Sequence, residues 1–84
     1  MVVAKRVRLT YPVELLRQPV LYQLIRQFEL VTNIMQADVS PQSGCIILEM
    51  RGEEETIQKA LDWMAEQGIQ VHVLTKDEEI TCRL

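Results

Sequence analysis

Eighty-four residues with a formal charge of -3 and a pI near 5.0 make one small acidic domain. Hydrophobic residues at 48% and charged residues at 25% suit a single core under a soluble surface, which excludes a disordered or fibrous chain. The charge is uneven, +3 over residues 1–30 and -6 over residues 31–84, and Lys5, Arg6 and Arg8 form too short a cluster for the concentrated positive field that nucleic acid requires.

A domain this small buries roughly 60–65% of its unfolded surface, so association into a homodimer is expected to widen a thin stability margin. No apolar run exceeds four residues, against ~20 needed to span a bilayer, so no membrane insertion is expected. The opening MVVAKRVRL places its charges after its apolar run, the reverse of a signal peptide. A cytoplasmic protein is expected, with Cys45 and Cys82 reduced; they lie far apart and fit no C-x-x-C pattern.

From Val3 to Tyr11, Val7, Leu9 and Tyr11 alternate with Arg6, Arg8 and Thr10, the period of a half-buried strand, and Pro12 closes it. Residues 13–18 read as a loop or irregular turn. Pro19 suits a first helical position, and Leu21, Leu24, Ile25 and Phe28 follow at helical spacing, so an amphipathic helix of about 11–13 residues is expected. A second strand runs through Val31–Val39, with Met35, Ala37 and Val39 alternating against Gln36 and Asp38. Ser40–Gly44 is a turn cluster, and Cys45–Arg51 a third strand with Ile46, Leu48 and Met50 on one face. Gly52 breaks that strand. Glu53, Glu54 and Glu55 then set negative charge against the positive end of a second helix, whose stripe is Ile57, Ala60, Leu61 and Met64. Gly68 is expected to end this helix in a left-handed conformation, and Ile69–Leu74 is the fourth strand.

The order is β-α-β-β-α-β. Two helices with one apolar stripe each cover one face of a four-stranded sheet, so the expected fold is α+β, a ferredoxin-like sandwich with an antiparallel sheet. The first and third strands should lie centrally, and the uncovered face should carry Arg6, Arg8, Ile47, Glu49 and His72. The domain is assigned to residues 1–76. Residues 77–84 form a tail that either frays or adds a fifth strand, since Ile80, Cys82 and Leu84 alternate with Thr81 and Arg83.

The run from Pro19 to Leu74 resembles the NIL domain, a family named for an Asn-Ile-Leu motif, here Asn33-Ile34-Met35 within TNIMQADV. The likeness extends to Gly44 and Gly52 at the two ends of the third strand and to KALDWMAEQGIQVHVL, about two-thirds of the chain. Met35 in place of leucine is a near-isosteric apolar swap. The resemblance implies a ferredoxin-like module of the kind found at the C-terminus of methionine importer ATPases, where paired copies bind methionine and inhibit transport. Related domains are fused to iron–sulfur modules, and others stand alone. The sequence holds neither a G-x-x-x-x-G-K-S/T phosphate loop nor the cysteines of a cluster, so a stand-alone copy without a cofactor is expected.

By the same resemblance, Asn33, Ile34 and Met35 are the candidate ligand-binding residues for a small amino acid such as methionine. The Asn33 amide can offer one donor and one acceptor to such a ligand, or it can satisfy a backbone group at the start of a strand. Ile34 and Met35 read first as core; a polarizable Met also suits a thioether-lined site. Arg6, Arg8 and Glu49 pair across strands or bind an acid. His72 stands without a second His, which argues against metal, and Trp63 reads as a core-edge residue or a partner anchor. No nucleophile, base and orienter converge, so no enzyme is expected. The leading expectation is an amino-acid-sensing regulatory homodimer that works with a transporter or sulfur-metabolism protein. The alternative is a protein-interaction module without a small ligand, docking through the open sheet face or the tail.

Overall fold

Strand β1 (Val2–Pro12) alternates between core and surface along its whole length and sits at the centre of the sheet. The computed structural model describes residues 1–12, 20–40 and 43–82. After β1 come helix α1 (Val20–Gln27), strand β2 (Val31–Val39), strand β3 (Ser43–Glu53), helix α2 (Glu54–Glu66) and strand β4 (Gln70–Val73). The sheet order is β2-β3-β1-β4, every pairing antiparallel, so β1 and β3 are central as expected. The loop expected at residues 13–18, Pro19 at the helix start and the centre of the Ser40–Gly44 turn lie outside the described residues.

The core occupies one side of the sheet. Val7 and Leu9 of β1 and Ile46, Leu48 and Met50 of β3 pack in one cluster with Leu24 of α1 and with Ile57, Ala60, Leu61 and Met64 of α2. These sheet residues share one face by strand alternation, so both helices lie on that face. Each fully buried aliphatic side chain contributes about 1.5–3 kcal/mol relative to exposure. Phe28 and Trp63 close the edge of the cluster with a T-shaped contact at 6.0 Å between ring centroids.

Helix α2 begins after Glu53 in extended conformation, with Glu54 and Glu55 in its first turn. It ends as its sequence specifies: Gly68 has φ 93°, its N–H donates to the Ala65 carbonyl at 3.0 Å, and the Ile69 N–H donates to Met64 at 3.2 Å. These two bonds are a Schellman ending, and they turn the chain so that Ile69 is buried before β4 starts.

Four expectations need correction. Ile25 is 54% exposed, because it lies about 100° around α1 from Leu24 and the apolar contact on this helix is narrower than its sequence stripe. Ile34 and Met35 are not core residues; β2 is an edge strand with only one neighbour, and every residue of it except Thr32 is exposed. The Met35 position is also a register shift: Ile34 faces Leu48 but Gln36 faces Ile47. The bulge puts Ile34 and Ala37 on the same face, where simple alternation had separated them. The tail forms no fifth strand among the described residues, and Cys45 and Cys82 are joined as a disulfide instead of being free thiols.

Candidate functional site

Two surfaces carry the residues that the sequence singles out. The first is the outer edge of β2. Asn33 lies opposite Glu49 on the sheet face away from the helices, and Ile34 lies opposite Leu48 on the helix side, beyond the cover of either helix. Met35 occupies the bulge between them. The three candidate residues are therefore contiguous along one edge but do not converge on an enclosed pocket. Ile34 is 61% and Met35 39% exposed, and Val31 and Val39 are exposed at the two ends of the same strand. Among the described residues, the Asn33 amide makes no side-chain hydrogen bond. The outer edge of β2 leaves backbone open to pairing with another strand on either side of the bulge at Met35.

The second surface is the sheet face opposite the helices. Strand register assembles Arg6, Arg8 and Thr10 of β1 beside Glu49, Ile47 and Cys45 of β3, with His72 next to Arg8 on β4 and Gln36 next to Ile47 on β2. The expected cross-strand pairing is present for Arg6, whose Nε lies 3.5 Å from Glu49; Glu49 also lies 3.9 Å from the guanidinium of Arg51 on its own strand. Both pairs are partly solvated and contribute little to stability. Arg8 has no ionic or hydrogen-bonded side-chain partner among the described residues.

Ile47 breaks the polar pattern of this face. It is 0% exposed, yet it stands outside the cluster under the helices. The tail accounts for its burial. The Leu74 N–H donates to the Arg6 carbonyl at 2.8 Å, which fixes the start of the tail at the β4 side of β1. At the other end Cys82 is bonded to Cys45 on β3, and its N–H donates to the Gln36 Oε1 at 2.6 Å on β2. A chain fixed at both places must cross the face over Ile47, and Ile80 on that path is half-buried. Midway, Glu78 is held by the Thr75 N–H at 3.0 Å and by the His72 Nε2 at 2.8 Å. The Thr75 N–H, and after it His72, keeps the Glu78 carboxyl below the ordinary carboxylate range. The ionised carboxylate only accepts, so the His72 Nε2 carries the proton in this bond.

The sequence therefore identified the residues of the open face but not its cover. The available signal was the alternation of Ile80 and Cys82, which gives the tail an inward side. Cysteines 37 positions apart carry no spacing rule that would have joined them. A cavity of about 250 Å³ remains beside the disulfide, lined by both cysteines together with Arg8, Asp38 and Ser43. Among the described residues no three His, Cys, Asp or Glu side chains gather at metal-binding distance, and no helix is long and apolar enough to cross a membrane.

Two helices on one face of a β2-β3-β1-β4 sheet define a ferredoxin-like split βαβ module. Within that class, residues 5–73 match the family model of the NIL domain, and the chain belongs to that family. Over 64 residues it is 38% identical to the L-aspartate semialdehyde sulfurtransferase iron-sulfur subunit of Methanocaldococcus jannaschii, a match covering 76% of this chain and 49% of that protein. Over 75 residues it is 28% identical to the methionine import ATP-binding protein MetN of Bacillus subtilis, covering 84% of this chain and 22% of that one. The chain thus spans half or less of these curated relatives. The C-terminal domain of an ABC transporter/ATP-binding protein from Enterococcus faecalis superposes with a TM-score of 0.71 at 18% identity, covering 87% of this chain and 86% of that one. That likeness is one of fold.

Proposed function

We propose that this chain is a non-catalytic regulatory domain that senses a small amino acid, methionine first among them, as a cytoplasmic homodimer. The observation that carries the reading is the bare β2 edge, where Asn33, Ile34 and Met35 lie together in solvent with the Asn33 amide unengaged among the described residues. Met35 is the midpoint of β2. An isologous antiparallel pairing of two such edges about that midpoint brings both copies of the motif to one two-fold axis. On the face away from the helices the Asn33 amide of one copy offers a donor to a carboxylate and an acceptor to an ammonium group, Met35 in the adjoining bulge receives an apolar thioether chain, and Ile34, on the helix side, packs against the paired copy. Relatives named as methionine import ATP-binding proteins support methionine as the ligand and a transporter as the larger partner. The relative named as a sulfurtransferase subunit supports a sulfur-metabolism protein in that place. Ligand occupancy would act by favouring one quaternary arrangement, since it contacts both copies only when they are paired.

Docking of a partner protein on the open sheet face is the weaker reading, because the tethered tail already covers Ile47 at its centre. Calorimetric titration with methionine tests the leading one. The wild type should give saturable heat by millimolar ligand, and Asn33→Ala should lose it with an unchanged melting temperature. No heat from the wild type, or equal heat from the variant, contradicts the site.

A further inference from the structure

Among the described residues, one covalent bond and exposed polar contacts at Glu78 and Gln36 join the tail to the sheet. Beyond Leu74 it adds no strand pairing among the described residues, and the contacts at Glu78 and Gln36 face solvent. Exposed pairs of that kind contribute little on their own. The disulfide is therefore what keeps residues 75–82 across the open face and Ile47 dry.

We propose that Cys45–Cys82 is a thiol–disulfide exchange site, and that its reduction by a dithiol releases the tail and uncovers Ile47. Three observations converge. The sulfurs are half-buried at the wall of a cavity of about 250 Å³, so a thiolate has a route to them that a core disulfide would deny. Arg8 lines the same cavity with no partner of its own among the described residues, and its charge favours both the arriving thiolate and the thiolate that leaves. Asp38 lines the same cavity and lies directly opposite Cys45 on β2, so its carboxylate opposes the thiolate that Arg8 favours. Finally, the bond ties the tail to the strand that carries Ile47, a buried residue outside the cluster under the helices.

The step balances. One thiolate of the dithiol attacks a sulfur of the pair, the Cys45–Cys82 bond breaks, and a cysteine thiolate departs into the cavity. The second thiol of the reductant then displaces the other cysteine from the mixed disulfide. Two electrons and two protons pass to the protein, which ends with two thiols, and the reductant ends as a disulfide.

The test uses the whole chain with dithiothreitol as reductant. Alkylation followed by mass measurement counts the thiols, and hydrogen exchange follows residues 75–82. In the folded oxidised protein no cysteine should alkylate; after reduction both should, and exchange in the tail should rise about tenfold or more while α2 is unchanged. Re-oxidation should restore protection, and Cys45→Ser/Cys82→Ser should exchange at the reduced rate without reductant. Arg8→Gln should slow reduction by dithiothreitol several-fold and slow reduction by an uncharged phosphine less, since there only the departing thiolate carries charge. Tail protection that survives alkylation of both thiols overturns the latch. So does a disulfide that opens only in denaturant, which would make it a structural cross-link. Equal thiol reactivity of Arg8→Gln and wild type overturns the role given to Arg8. None of these outcomes depends on methionine binding at the β2 edge.

Discussion

Ile47→Ala should be costly only while the tail is tethered. Removing three methyl or methylene groups from a fully buried isoleucine costs about 2–5 kcal/mol, whereas on an exposed strand the same change alters only neighbour packing, within about 1 kcal/mol. Ile47 is 0% exposed, and among the described residues the segment between Leu74 and Cys82 is the element tethered across its face. The substitution and the disulfide should therefore couple by about 1–4 kcal/mol in a double-mutant cycle. The disulfide itself closes a loop of 37 positions and contributes roughly 4 kcal/mol by chain entropy. Total stability for 84 residues is about 4–13 kcal/mol, so the combined variant approaches the limit of folding. Ile47→Val, at about 0.5–1.5 kcal/mol when buried, gives a milder cycle that stays measurable. Urea unfolding of the wild type, the Ile47 variant, Cys45→Ser/Cys82→Ser and the combination supplies the four corners. An Ile47 cost that is the same with and without the cysteines refutes the claim that the tail covers this residue.

Gly68→Ala should lose about 1–2 kcal/mol, because φ 93° is a conformation that a Cβ strains, and thermal unfolding should shift down by several degrees. Leu24→Ala should lose about 2–5 kcal/mol and loosen α1 from the sheet, read by urea unfolding, since Leu24 is fully buried where Ile25 is not. Glu78 has a folded pKa below its unfolded value. Its contribution is therefore complete above the ordinary carboxylate range and disappears as pH falls through the folded pKa. The Thr75 amide resonance, whose N–H donates to Glu78, should shift with acid in the wild type and lose that shift in Glu78→Gln.

The arrangement of elements was legible because period-2 and period-3.6 patterns are clean where one face is buried. Val7, Leu9, Ile46, Leu48 and Met50 all face the helices as their alternation requires, and Ile57, Ala60, Leu61 and Met64 are all buried. The same logic misled at β2 for a physical reason. An edge strand packs on one neighbour, so apolar side chains there need not be core, and one bulge at Met35 reverses the parity that alternation assumes. Asn33-Ile34-Met35 was legible as a motif, but that it sits exposed on an edge was not. The tail was harder still. Its position depends on a cross-link between distant residues and on one buried apolar residue of the open face, Ile47, whose burial is a tertiary property with no local signature.

Sedimentation equilibrium of the wild type and Ile34→Lys bears most directly on the β2 edge as the functional surface. With a monomer of 9.8 kDa, the wild type should sediment at twice that mass and tighten its association when methionine is added. Ile34→Lys should sediment as a folded monomer, since the side chain it replaces is in solvent within one copy, and its melting temperature should fall only by what the lost association contributed. A wild type that remains monomeric at millimolar concentration with methionine present, or a lysine variant that pairs as tightly as the wild type, contradicts the account.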